Sequence, residues 1–343
     1  MDEMHKVAIV ILNWNGREML KKYLPTVLKC SNEEGTVVVA DNASDDGSMD
    51  MMSREFPQVR TIVLDKNYGF ADGYNHALRQ VEAEYYLLLN SDVEIRQERW
   101  LVPMIEYMDS HPECGACQPK LMSLHTPDFF EYAGAAGGFI DKYGYPYCRG
   151  RVFGVVEKDN GQYDDVVSLM WATGAALMVR SSDFWEAGGL DGRFFAHMEE
   201  IDLCWRMRTL GKDIVCIPES VAYHLGGATL NQGNPRKTFL NFRNNLLMLY
   251  KNLPEKELNS VMSTRWWLDM LAAMQFLVKG DVENFRAVIR ANKEFKRMRP
   301  DFEADRKRNL ERRKVDEVKE RRRFSLLWRF YVGGKKTYKE IES

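Results

Sequence analysis

The sequence predicts an α/β fold: a Rossmann-like, mostly parallel central sheet flanked by helices, with a helical extension at the C-terminal side. Three observations carry this. Over the first 120 residues short apolar runs alternate with helix-length polar segments, the pattern of strand–helix–strand crossovers. The first run, residues 7–12 (VAIVIL), is continuous and β-branched, as suits a strand buried on both faces. A chain of 343 residues, 45% apolar and 29% charged, buries one large core or two modest ones, which excludes general disorder and a disulfide-stapled miniprotein.

The elements follow in order. Residues 16–30 read as a helix, 36–40 (TVVVA) as a strand, 48–56 as a helix, 60–64 as a strand, 73–81 as a helix and 85–89 (YYLLL) as a strand. Residues 121–165 scatter glycines among aromatics, a region of turns and short strands. Regular structure returns at 169–180, then in a helix at 181–188 capped by Ser181 or Ser182. Residues 199–210 have helical periodicity, 214–217 and 221–224 read as two short strands, and helix dominates from 239. The expected division is a sheet domain over 1–250 and a helical, basic and aromatic extension over 251–343.

Charge and cysteine usage narrow the function classes. The 48 basic and 50 acidic side chains nearly cancel, which removes the bulk positive field of a general nucleic-acid binder. From residue 286 onward, however, 20 Lys and Arg face 10 Asp and Glu, so an acidic body joins a basic tail. Six scattered cysteines, with a single CxxC at 114–117 and a start lacking the regions of a secretion leader, read as reduced thiols of a cytoplasmic protein. The longest apolar run, 266–278, contains Asp269 and falls short of the roughly 20 residues a membrane span needs.

Parallel sheets bind ligands beyond the carboxyl ends of their strands, and four such ends are polar here. They are Asn13-Trp14-Asn15-Gly16, the segment 41–48 (DNASDDGS), Asp65-Lys66-Asn67-Tyr68-Gly69-Phe70, and Asn90-Ser91-Asp92. Asp41 ends a buried strand and could accept a hydrogen bond from a pyrimidine N3–H; Asp45, Asp46 and Ser48 serve equally as turn and cap residues. Asp92 offers an oxygen ligand for Mg²⁺ or Mn²⁺, or caps the next helix. Glu199, Glu200 and Asp202 place three carboxylates beside Phe194 and Phe195. They suit a helix start, and one desolvated among aromatics suits a general base. His224 ends an apolar strand and could reach a metal from the opposite side, or simply pack.

Taken together the segments 7–16, 41–48, 66–78, 87–93, 171–180 and 188–211 resemble the family 2 glycosyltransferases of the GT-A fold, in particular the bacterial rhamnosyltransferase-like branch. They occur in family order and cover about residues 5–230. The resemblance implies inverting, metal-dependent transfer of a sugar from a nucleotide-diphosphate donor to an acceptor hydroxyl, in cell-surface polysaccharide synthesis. It implies that Asp41 contacts the base, with Asn13, Asn15, Asn67, Gly69, Asn75, Asn90 and Ser91 around the nucleotide. Asp92 corresponds to the metal carboxylate of the DxD motif, whose first Asp is replaced by Asn90, and His224 to a histidine completing the Mn²⁺ or Mg²⁺ site. Glu200 falls at the catalytic base position, where Asp is more usual, flanked by Glu199 and Asp202. Trp171, Gly174 and Phe195 are expected on the acceptor side.

The donor expected from the branch is dTDP-rhamnose, with UDP-sugars open because Asp41 suits thymine and uracil alike; the acceptor is a glycan or lipid-linked glycan. Two alternatives are a sugar-phosphate nucleotidyltransferase, whose basic glycine-rich loop after the first strand is missing, and a non-catalytic nucleotide-sugar-binding protein. The aromatic and basic residues of the extension suit an anionic membrane surface, peripheral at the inner face of the plasma membrane, or packing on the catalytic domain or a second copy in a homodimer.

Overall fold

The computed structural model describes residues 6–31, 33–226 and 233–343. Strands β1 (Val7–Asn13), β2 (Gly35–Asp41), β3 (Arg60–Val63) and β4 (Tyr85–Asn90) alternate with helices α1 (Arg17–Ser31), α2 (Ser48–Glu55) and α3 (Gly69–Leu78). They pair in parallel in the order β3-β2-β1-β4. The chain continues through β5 (Val93–Glu94), α4 (Val102–Ser110) and β6 (Cys114–Ser123) to a small four-stranded sheet of β7 (Gly138–Ile140), β8 (Pro146–Cys148), β9 (Arg151–Val152) and β10 (Val155–Val156). It returns through β11 (Val167–Ser168), β12 (Ala176–Arg180), α5 (Ser181–Glu186), α6 (Glu199–Thr209) and β13 (Asp213–His224). The main sheet reads β11-β13-β6-β12-β4-β1-β2-β3, and only β12, β11 and β5 run against their neighbours.

Register sets the site. Asn13 stands opposite Asp41 and Leu12 opposite Asn90, so three strands end level at one rim. The apolar residues behind them, Val7, Ile9, Val10 and Ile11, are buried, as the unbroken β-branched run requires.

Some details differ from the pattern expected. Residues 214–217 and 221–224 belong to one strand, β13, with an irregularity between Ile217 and Val221 that absorbs Pro218 without ending the pairing to β6. Helix α5 follows Arg180, without a hydroxyl cap from Ser181 or Ser182. Beyond α7 (Pro235–Asn252) come α8 (Glu255–Val278), α9 (Val282–Met298) and α10 (Glu303–Glu311); α7 packs against all three, and α8 against α9. Residues 312–337 then leave regular helix and fold back over the small sheet, where Arg322 N–H bonds the Ile140 carbonyl and Leu326 N–H the Asp141 carboxylate. The rings of Phe324 and Tyr338 lie tilted against Tyr147, and the short helix α11 (Tyr338–Glu342) buries Ile341. Leu326, Phe330 and Ile341 join the core and Phe324 and Tyr338 pack against it, while Trp328 and Tyr331 stay exposed. All six cysteines are free and buried.

Candidate active site

The strand ends are joined by a closed net of hydrogen bonds. Asp41 is buried and accepts from Asn13 Nδ2 at 2.9 Å, from Ser44 Oγ at 2.6 Å and from Ser44 N–H at 2.9 Å. Asn15 is spent on the same loop: its N–H bonds Ser44 Oγ, and its Oδ1 accepts the Asp45 N–H. Asp46 accepts from the Arg17 and Ser48 amides, tying the start of α1 to that of α2. Asn42, which the sequence reading passed over, links the second loop to the third. Its Nδ2 donates to Asn67 Oδ1 and to the Gly69 carbonyl, and its Oδ1 accepts the Tyr68 N–H. Gly69 has φ of 76°, and a Cβ there would lie 2.5 Å from the Phe195 ring, so only glycine lets these two loops close. Asn75 sits further back, strapping α3 to the turn before α6 through two bonds with Leu190.

On the other flank Asp92 and His224 meet. His224 Nε2 is 3.1 Å from Asp92 Oδ1 and 3.3 Å from Asn90 Nδ2. Its Nδ1 faces Glu131 Oε1 at 3.4 Å, while Glu131 Oε2 accepts the Ala133 N–H. Burial disfavours the imidazolium, but Asp92 and then Glu131 outweigh it and raise the His224 pKa to about 10. A cavity of about 450 Å³ opens here, lined by Glu131, Tyr132, His224 and Lys237 among others. Ser91 approaches from β4, its Oγ 3.4 Å from where a side chain on Gly16 would begin.

These groups fit a divalent cation. One carboxylate oxygen and one imidazole nitrogen stand within a single ion's reach, a donor set that suits Mn²⁺ or Mg²⁺ once the imidazole has given up its proton. Glu131 is placed to hold the Nδ1–H tautomer and leave Nε2 free to ligate. Among the described residues no group of three or more His, Cys, Asp or Glu side chains could hold a metal, so an ion here would need ligands from outside these side chains. Glu131 lies in a stretch without periodicity, and no local signal marks it in the sequence.

Glu199 and Glu200 open α6. Oε2 of each is buried without a hydrogen-bond partner. Burial pushes both carboxyls up, Glu200 to about 7 and Glu199 well beyond the ordinary range, the latter also through the charge of Glu200. Glu200 Cβ lies 3.8 Å from the position of a Cβ on Gly174, whose other neighbour is the Phe70 ring. The adjoining Ala175 carbonyl accepts the Asn90 N–H, so Glu200 and the metal-side loop border the same turn.

The approach to α6 is strained: Phe195, His197 and Met198 have φ of 67°, 71° and 73°, each costing on the order of 1–3 kcal/mol. It is held by Asn244 on α7, whose Nδ2 donates to the carbonyls of Phe194, Ala196 and His197 at 2.8–2.9 Å. Asn244 was also missed, although an amide pair inside the apolar run of α7 is a visible anomaly. Phe195 itself turns its carbonyl to the Phe70 and Ala71 amides at the start of α3.

Two expected site residues stand elsewhere. Asp202 is fully buried, with its oxygens bonded by Arg206, Lys251 and Asn252, and it locks α6 to α7. Trp171 is buried in the core, its indole N–H on the Phe139 carbonyl and its ring filling the space a side chain on Gly138 would take.

Residues 8–134 match the family described as glycosyl transferase family 2. Among curated relatives, the N-acetylglucosaminyl-diphospho-decaprenol L-rhamnosyltransferase of Mycobacterium tuberculosis is 23% identical, over 64% of this chain and 75% of its own length. Rhamnosyltransferase WbbL of Escherichia coli is 25% identical, over 64% of this chain and 83% of its own length. Among solved structures, that of S. aureus TarS 1-349 in complex with UDP-GlcNAc superposes with a TM-score of 0.56 at 14% identity, covering 90% of this chain and 89% of that one. The structure of GalNAc-T7 with UDP, GalNAc and Mn²⁺ gives 0.57 at 13% identity, covering 73% of this chain and 48% of that one. The expected α/β fold is thus the one shared with GT-A glycosyltransferases.

Proposed function

We propose that the chain is a glycosyltransferase of family 2, the family whose model matches residues 8–134, and that, like the rhamnosyltransferases it is similar to, it moves a sugar, rhamnose by preference, from a nucleotide diphosphate to a hydroxyl of a glycan or lipid-linked glycan with inversion. The observation that carries this reading is the placement of Glu200, whose Oε2 is buried and unsatisfied, on the far side of the turn at Gly174 and Ala175 from the Asp92–His224 couple.

On this reading the base of the donor lies toward Asp41, and the diphosphate lies over Asn90, Ser91 and Asp92. Asp92 and His224 would hold Mn²⁺ or Mg²⁺, which would supply positive charge to the leaving diphosphate. Glu200 takes the proton from the acceptor hydroxyl as that oxygen bonds the anomeric carbon and the bond to the diphosphate breaks; a positioned base is worth roughly 10²–10⁴-fold. Displacement from the opposite face inverts configuration. Phe70 and Gly174 border the acceptor side. The two rhamnosyltransferase relatives support rhamnose as the sugar moved, and the name of one of them supports a polyprenyl-diphosphate-linked acceptor.

The test is a panel of nucleotide sugars, with and without Mn²⁺, read by calorimetry and by release of nucleotide diphosphate. dTDP-rhamnose should bind more tightly with the metal and be consumed when acceptor is added, and NMR of the product should show the inverted anomer. Tighter, productive binding of a UDP-hexose would replace the donor; a retained anomer would remove Glu200 as base.

A further inference from the structure

Helix α8 is apolar on two sides, and the fold covers one of them. Its inner side packs on α7 and α9, with Leu258, Val261 and Ala273 buried, together with the Arg265–Asp269 pair at 3.0 Å. Its outer side carries Trp267 (65% exposed), Leu271 (65%), Met274 (51%) and Val278 (83%). Their spacing of four, three and four residues aligns them on a single ridge. Between residues 266 and 278 the only charge is Asp269, which faces inward. A helix this apolar is ordinarily covered on both sides, and a ridge of this kind left open marks a contact surface.

The neighbouring face of α9 says what the contact is. Exposed Val282 and Ile289 continue the apolar strip, and Arg286, Arg290 and Lys293 stand exposed between and beyond them, with Lys279 in the turn before. Glu283 is the exposed acid nearby, and Arg290 lies over the Phe239 ring. Tryptophan and aliphatic side chains flanked by cations complement an anionic lipid surface, where the apolar groups enter the headgroup boundary and the cations meet lipid phosphates.

Position agrees. Asn284 Nδ2 donates to the Gly233 carbonyl just before α7. The same end of α7 places Arg236 over the Phe195 ring and Lys237 on the cavity beside His224. The apolar tip of the α8–α9 hairpin therefore lies at the end of the helical layer that borders the cleft.

We propose that this ridge docks the protein on an anionic membrane and turns the cleft toward it. The docking stands on these residues alone; its purpose, bringing Glu200 to a lipid-linked hydroxyl, rests on the function proposed above. No helix among the described residues is long and apolar enough to cross a membrane, so the attachment is to the surface.

The test uses the full chain in flotation with phosphatidylcholine vesicles, with and without phosphatidylglycerol. The chain should float with the anionic vesicles and be released by salt. The combined variant Trp267→Ser, Leu271→Ser, Val278→Ser should lose on the order of tenfold or more of that partitioning, and Arg286→Gln with Lys293→Gln a similar factor. Unchanged melting temperature and unchanged donor consumption with a water-soluble acceptor would show both variants folded and working. Equal flotation of the ridge variant overturns the proposal. So does a dimer in sedimentation equilibrium that this variant converts to monomer, because the ridge would then belong to a second copy. A chain that floats as described but consumes no nucleotide sugar would retain the docking and lose only the function.

Discussion

The two sides of the cleft are built on opposite terms. Along the strand ends, Asn13, Asp41, Asn42 and Asn67 bond one another and the loop amides, and apart from Asn13 Oδ1 their side-chain oxygens have partners. At the start of α6, Glu199 and Glu200 each bury an oxygen with no partner, on a backbone that turns through three non-glycine residues of positive φ. The difference separates holding from reacting. A satisfied net keeps a ligand platform in one shape, because every alternative shape breaks bonds. An unsatisfied buried carboxylate is costly at rest and is steadied by what it does next, accepting a proton.

The contrast is broken most sharply at Glu200. Glu200→Gln keeps the shape and removes the base, so kcat should fall roughly 10²–10⁴-fold with donor affinity unchanged, measured by steady-state kinetics and calorimetry. Turnover within a factor of two of the parent would move the role to Glu199. Next comes the clamp: Asn244→Ala strips the donor from the Phe194, Ala196 and His197 carbonyls and should lower stability by about 1–3 kcal/mol in urea titration. A loss of kcat at constant donor Kd would accompany it; an unstable variant with normal turnover would show that the strained approach plays no part in positioning the base.

The smallest effect concerns protons. With the Glu200 pKa near 7, kcat/KM should climb as pH rises through that value, and the Gln variant should lack this limb. Stability runs the other way. A carboxyl whose folded pKa exceeds its unfolded value of about 4.3 binds more protons when folded, so its contribution falls as pH rises between the two. The parent should thus lose melting temperature relative to Glu200→Gln between pH 5 and pH 8, and parallel curves would count against a buried, titrating Glu200.

The parallel half of the sheet was legible because β1, β2 and β4 carry continuous apolar runs closed by polar segments, and local sequence suffices for that. Asp92, His224, Glu199 and Glu200 stood out as candidates because each ends or follows a strand or opens a helix. What escaped depended on distant partners. Asp202 reads as a third acid of the site until Lys251 and Asn252, some fifty residues on, are seen to occupy it. Trp171 reads as a sugar platform until Gly138 admits its ring to the core. Glu131 earns its place only by facing a histidine ninety-three positions away, and the tail's aromatics only by reaching Phe139 and Tyr147.

That last contact has a consequence for how the polymer is made. Glu342 bonds Tyr147 across 195 residues, so at 5–20 residues per second a ribosome needs roughly 10–40 s to deliver the cover after the small sheet has emerged. Throughout that interval Phe139, Tyr147 and Tyr163 lack the cover of Phe324 and Tyr338, which makes them a place where nascent copies would stick together.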